Sequence, residues 1–463
     1  MAKDTFGEAL RALLGETGVL QGDDGARYES DWRGKLRGQA LCVARPASVD
    51  HVAGVLRLCT VHRVAVVPQG GNTGLCGGAT PDATGRQMVL SLERLNRIRE
   101  LDGQNNTATV EAGCVLSALR ETARAQDRLF PLSLAAEGSS QVGGLVSTNA
   151  GGTAVLRYGN TRDLVLGLEV VLADGTVLSE LSGLRKNNTG YDLKQLFIGA
   201  EGTLGVVTAA TVKLFPRPRD VGTAWVALPD LPAAIALLRQ LQDDWGDVVT
   251  SFEIASEEAL ALVSKHLPEV RRPFATRAPL YALVELSLGG KGARAEAALT
   301  GSLGEAAEAG RVMDAAVAQN EGQARQFWRL REEITECERR EGPSVKHDVS
   351  VTLGRMPAFV AAAAEAVPAR FPGTRVVLFG HLGDGSLHVN VLKGSATVSD
   401  ADLFTLVHDL VVAHGGSFSA EHGVGALKRA ELARYKSAAV VDVMRRVKGA
   451  LDPLGLMNPG KVL

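Results

Sequence analysis

Cysteine is scarce and unpatterned in this chain: Cys42, Cys59, Cys76, Cys114 and Cys337 make five, an odd number, with no C-x-x-C pair among them. That excludes a disulfide framework and a zinc ribbon, and it points to reduced thiols in a reducing compartment. Charge of one sign is also missing. Lysine and arginine number 50 against 52 acidic residues, a net of −2, so no strongly basic face calls for nucleic acid. No apolar run of about 18 residues appears, which excludes a transmembrane helix. The opening MAKDTFGEALRALLGE carries charges where a signal peptide would be apolar, so the expectation is a soluble, cytoplasmic protein. There is no long internal repeat and no low-complexity tract. Neither G-x-x-x-x-G-K-[ST] nor G-x-G-x-x-G occurs at the glycine loops, so P-loop and Rossmann phosphate binding have no support.

Glycine is what the chain has in excess, 52 of 463 residues, about 11% against a usual 7% or so. The glycines cluster. QGGNTGLCGGATP, residues 69 to 81, follows the short buried strand expected in RVAVVP. Gly70, Gly71, Gly74, Gly77 and Gly78 leave backbone N–H groups unshielded, and such concave nests bind anions, phosphate above all. EGSSQVGGLVSTNAGG, residues 137 to 152, has the same character with small hydroxyl and amide side chains added. Two such loops in one domain imply a ligand with a long diphosphate.

With 463 residues the prior is about three domains, each large enough for its own core. The periodicity predicts an N-terminal helix over 4–15, a strand near 39–45, a helix behind a Ser48 cap, strands in MVLSL and TATVEAG, and a helix near 115–126. A long loop is expected over 130–163, then a hairpin in LGLEVVLADGTVL turning at Asp174-Gly175. At FPRPRD (215–220) the composition shifts to Ala, Leu and Glu, with helices such as LPAAIALLRQLQDDW between strands such as LYALVELSL. The tail over about 421–449 reads as helical.

FGHLGDGSLHVNV (379–391) holds two of the nine histidines seven positions apart. Asp-Gly between apolar arms is a hairpin signal. With Asp384 and Gly385 as a two-residue loop, His381 faces His388 directly, with the two Cβ atoms roughly 5 Å apart, close enough to grip one divalent ion once a third ligand is found.

These motifs carry a resemblance. PQGGNTGLCGGATP, PLSLAAEGSSQVGGLVSTNAGG, RYGNTRDLVLGLEVVLADG, FIGAEGTLGVVTAATVKL, GHLGDGSLHVN, EHGVG and NPGKVL resemble the FAD-binding oxidoreductases typified by vanillyl-alcohol oxidase. Within that family the chain is similar to the D-2-hydroxyacid dehydrogenase branch, which includes D-2-hydroxyglutarate dehydrogenase, D-lactate dehydrogenase and the glycolate oxidase flavin subunit. The resemblance implies an α+β fold: a two-part FAD-binding domain over 1–218, a substrate domain with an antiparallel sheet over 219–420, and a helical segment over 421–463 that packs back on the FAD-binding domain. It implies that FAD is held by Pro68, Gln69, Gly70, Gly71, Asn72, Thr73, Gly74, Gly77 and Gly78 of the first loop. From the second come Glu137, Gly138, Ser139, Gln141, Gly143, Gly144, Ser147, Thr148, Asn149, Gly151 and Gly152. Glu201, Gly202, Gly205, Val207 and Asn458 complete the set. The first loop has no histidine where covalent relatives often carry one, so the FAD is expected to be non-covalent.

The resemblance further implies a zinc or other divalent ion on His381, His388 and Glu421. Two imidazoles and a carboxylate leave a zinc position open for substrate. His422 is then the base for the hydroxyl proton, since imidazole titrates near neutrality, and hydride passes from Cα to flavin N5. Asn390, two residues past His388, is expected to reach the substrate carboxylate. Arg331 and Thr335, four apart on a predicted helix, and Lys346, at the start of the strand-like KHDVSV, match a substrate-lining pattern of the D-2-hydroxyglutarate dehydrogenases. A second cation serves only a distal carboxylate. D-2-hydroxyglutarate, oxidised to 2-oxoglutarate, is therefore the expected substrate, with D-lactate, D-malate and glycolate as alternatives. The expected acceptor is an electron-transfer flavoprotein or a quinone, and the expected assembly a homodimer. A zinc hydrolase or a non-catalytic electron-transfer flavoprotein is the rival from another class.

Overall fold

Val66, Val67, Met88, Val89 and Leu90 are consecutive apolar residues in short segments, the pattern of strands covered on both faces. In the computed structural model, which describes residues 2–290, 292, 294–394 and 397–463, they lie on neighbouring parallel strands, Ala65–Gln69 and Gln87–Ser91. Gln87–Ser91 pairs in parallel on its other side with Ala40–Ala44, whose outer edge carries Val19–Leu20. The helix Val49–His62 makes the crossover between two of these strands, and the Ser48 side chain caps it by accepting from the His51 N–H. Met88, Leu90, Val52, Leu56 and Phe6 share one core. A second, antiparallel sheet runs in the order Ile98–Asp102, Thr107–Glu111, Val206–Lys213, Val165–Val171, Val177–Glu180.

The chain forms two compact units. The first comprises residues 1–151, 160–216 and 422–463, and the second 152–159 and 217–421. The second is built on an eight-stranded sheet. Its central strands Asp220–Leu228, Leu280–Leu288 and Val249–Ser256 are antiparallel. Period-two alternation sorts their side chains. Ala224, Val226, Leu228, Ala282, Val284 and Leu286 face helices Leu231–Trp245 and Ala295–Glu308, while Trp225, Ala227, Tyr281 and Leu283 face Glu257–His266, Glu321–Glu332 and Ile334–Glu341. Such a sheet is buried on both faces, so a charge on either must find a partner.

Outside the histidine hairpin, the structure departs from the sequence expectations in four places. The stretch 130–163 is not loop throughout but holds the helices Val142–Thr148, Val155–Tyr158 and Thr161–Leu164; seven residues or fewer give too little periodicity to read. The expected helix through Arg331 and Thr335 is interrupted at Glu333, so the two residues belong to different helices. Lys346 does not begin a strand. Ser344–Val345 and Asp348–Ser350 pair with Ser386–Leu392 in the same register, and Lys346 and His347 form the gap between them. In the tail, helix begins at Arg429, and 421–428 is irregular, as its two glycines require.

Candidate active site

The histidine hairpin forms, with a different register. Arg375–His381 pairs with Ser386–Leu392 so that Phe379 faces His388 and His381 faces Ser386. The connection is four residues long, Leu382–Gly385. A two-residue type I′ turn needs positive φ at both central positions. Asp384 instead ends a short 3-10 turn, and only Gly385 is left-handed, at φ 80°. The Asp384 carboxylate accepts the Ser386 N–H at 3.0 Å, a local bond that stabilises this longer turn. His381 and His388 are thus diagonal neighbours rather than direct partners. The slide is by two residues, which keeps both imidazoles on one face; a slide of one would have separated them. Their ring centroids lie 5.9 Å apart.

Glu421 joins them. His388 Nε2 is 3.7 Å from Glu421 Oε1, and one ligand atom from each of His381, His388 and Glu421 lies within 4.8 Å of the others. Glu421 is set by its own backbone, whose N–H donates to the buried Asp348 carboxylate at 3.1 Å. Two imidazole nitrogens and one carboxylate oxygen, half-buried, fit zinc or another divalent ion with a position left open.

Glu253 is the residue the sequence reading missed. It lies directly across the strand pair from His381 and its Oε1 is 2.6 Å from His381 Nδ1. Arg331 donates through Nε to Glu253 Oε2 at 3.0 Å, and its guanidinium carbon sits 4.9 Å over the Phe379 ring. Burial alone would push the Glu253 carboxyl up, but the His381 and Arg331 charges outweigh it and hold the group below its ordinary value. Burial likewise works against the charged form of His381, and the Glu253 charge reverses this and raises it. A lone acid in the apolar strand TSFEIAS was the available signal, because a buried carboxylate requires partners. Asn390, also buried, donates to Glu338 Oε2 at 2.7 Å and accepts the His347 N–H. Thr335 is exposed and Lys346 half-buried.

In the other unit the two glycine loops meet. A Cβ on Gly71 would lie 2.0 Å from the Ser139 carbonyl oxygen, so only glycine permits this approach. Thr73 and Ser140 hydroxyls bond across the junction at 3.1 Å. Gln69 lies at the foot of the loop, and its side-chain amide donates to the Tyr28 and Ala79 carbonyls; Asn72 donates to the Ser30 carbonyl. Glu137 is engaged by Arg120 and Ser133. Gly202 lies against Pro68, the Ser147 carbonyl accepts the Glu201 N–H, and Asn458 donates to the Gly78 and Glu201 carbonyls. Buried Gln141 Oε1 and Asn458 Oδ1 meet no hydrogen-bond partner among the described residues. A Cβ built on Gly74 or Gly138 meets no described atom within 4 Å. Orphaned acceptors and open glycine backbone fit a bound polar cofactor such as FAD.

His422 follows Glu421 in the chain and is half-buried. Just beyond it, Val424 and Gly425 donate their N–H groups to the Glu201 carboxylate at 2.7 and 2.8 Å. Burial raises the Glu201 carboxyl above its ordinary value against the effect of those two donors.

Two family models match: the FAD binding domain over residues 40–180 and the C-terminal domain of FAD linked oxidases over 217–462. A D-2-hydroxyglutarate dehydrogenase of Xanthomonas citri pv. viticola is 41% identical over 441 residues, covering 94% of this chain and 92% of its own. The mitochondrial D-2-hydroxyglutarate dehydrogenase of Bos taurus is 40% identical, covering 94% and 78%. Among solved structures, p-cresol methylhydroxylase with substrate bound superposes with a TM-score of 0.75 at 18% identity, covering all of this chain and 96% of its own. Alkyldihydroxyacetonephosphate synthase gives 0.74 at 17%, covering 98% and 84%; at such identities these two speak for the fold alone. With a matching FAD-binding domain, and relatives so similar over 94% of this chain, the chain is an FAD-dependent oxidoreductase that belongs to the FAD-linked oxidase family, on its D-2-hydroxyglutarate dehydrogenase branch.

Proposed function

We propose that this chain oxidises D-2-hydroxyglutarate to 2-oxoglutarate, using a divalent ion on His381, His388 and Glu421. The observation that carries the reading is the gathering of Glu421 with His381 and His388, the two histidines standing on a sheet face that is covered by the helix bearing Arg331. When bound, FAD supplies the acceptor for the Cα hydride and the divalent ion a Lewis acid at the hydroxyl oxygen. The chain's own residues supply the rest. His422 takes the hydroxyl proton as the general base. Asn390, on the same strand face as His388, is held by Glu338 and the His347 N–H, so its amide is oriented before substrate arrives. Arg331, Thr335 and Lys346 serve the substrate carboxylates. Arg331, held by Glu253, and Lys346 are the two cations of this set, and a second cation is needed only for a distal carboxylate.

The test compares kcat/KM for D-2-hydroxyglutarate and D-lactate in wild type and in Lys346→Ala. Loss of a charge-assisted contact should cost the diacid about 2 kcal/mol, roughly thirtyfold, and lactate much less. Equal losses for both acids, or a wild type that prefers lactate, defeat the substrate assignment.

A further inference from the structure

A buried acid shared between a cation and an imidazole invites the question of which neighbour it serves. Glu253 is 1% exposed and lies within a strand whose flanking residues Phe252 and Ile254 are core. Its two oxygens are divided. Oε1 meets His381 Nδ1 and Oε2 meets Arg331. An ionised carboxylate only accepts hydrogen bonds, so Nδ1 carries the donated proton, and in the neutral ring that ligates a metal the lone pair is then on Nε2. Metal-ligating histidines are oriented in this way by a carboxylate or carbonyl on the other ring nitrogen.

We propose that Glu253 is a positioning residue with two tasks: it fixes His381 in the tautomer that presents Nε2 to a divalent ion, and it braces the Arg331 guanidinium over Phe379. The inference rests on the metal reading given under Proposed function. A glutamine at 253 cannot perform both tasks. If its oxygen faces His381, its amide N–H₂ opposes the Arg331 donors; if it turns round, the amide donates to Nδ1 and moves the imidazole proton to Nε2.

The experiment is Zn²⁺ binding to purified, FAD-loaded protein, by competition with a chromophoric chelator, in wild type, Glu253→Gln and Glu253→Asp. The glutamine variant should bind Zn²⁺ about 10- to 100-fold more weakly, the usual scale for losing such a partner, with flavin content unchanged. Its KM for the diacid should rise as Arg331 loses its brace. Glu253→Asp keeps the charge for Arg331 but withdraws the carboxylate by one methylene from Nδ1. It should fold, lose Zn²⁺ affinity to a smaller degree, and decide the matter if the glutamine variant does not accumulate. Either variant, folded by circular dichroism and binding Zn²⁺ as wild type does, overturns the role of Glu253. A wild type that binds no Zn²⁺ overturns the metal reading itself.

Discussion

His422 differs from the other histidines of the site in what holds it. His381 is held by Glu253 and His388 stacks near Phe379 with ring centroids 4.9 Å apart, whereas the chain beyond His422 is fixed through backbone N–H groups on Glu201. His422→Ala is expected to retain FAD and metal and lose turnover by about a hundredfold or more, the scale of a positioned base. Stopped-flow reduction of the flavin by substrate checks this, and near-wild-type reduction at neutral pH would move the base elsewhere. At this scale the sequence was legible where residue types are rare in their setting: two histidines in an apolar hairpin, and a glutamate beside a histidine between glycines. Glu253, Asp348 and Glu338 were harder to read, because a single acid in a strand or helix signals at most that a partner exists without saying which. The partner's identity depends on strands and helices far apart in the chain.

Strands and helices were read with few errors where their periodicity is long. Leu231–Trp245 and Leu280–Leu288 span the same residues as the segments read by pattern. The misreadings fall at connections. The Asp384-Gly385 signal located the turn, but loop length, which sets register, depends on whether the aspartate takes positive φ, and here its side chain bonds the Ser386 N–H instead. The glycine loops behave likewise: composition flagged both, and their mutual contact is a tertiary fact. Two glycines of one loop therefore separate folding from binding. Gly71→Ala drives a Cβ into the Ser139 carbonyl and should destabilise the chain with or without cofactor, by about 1–3 kcal/mol for an overpacked site. Gly74→Ala has room in the protein itself and should leave the melting temperature of the flavin-free chain unchanged while weakening FAD on the order of tenfold or more. Thermal melts and flavin titration of both variants make the comparison. Equal FAD affinity in Gly74→Ala and wild type would remove that loop from the cofactor.

At the scale of the molecule, the scarce cysteines turn out to be core residues: none is in a disulfide and all five are buried. Burial pushes the Cys42 thiol up to about 12 and Cys114 to about 11, so little thiolate exists at neutral pH. The folded chain should therefore give no rapid reaction with a thiol reagent such as DTNB, and all five thiols should react once denaturant is added. A fast native thiol would show a breach of one of the cores. Among the described residues no helix is long and apolar enough to cross a membrane.

The first unit is not contiguous. Its parallel strand Ala65–Gln69 bonds at its edge to the end of the chain, where the Val66 N–H donates to the Leu456 carbonyl and the Val66 carbonyl accepts the Asn458 N–H. Lys448 ties the same region through the Thr203 and Met457 carbonyls. This carries an order of events on the ribosome. Residues 217–421 are sequence-local and can collapse while synthesis continues, but the edge at Val66 stays open until residue 458 has left the exit tunnel. A chain truncated after residue 421 holds both glycine loops and lacks the segment that bonds to Val66 and Gly78, so it is expected to hold FAD more weakly than the full chain, and flavin titration checks this.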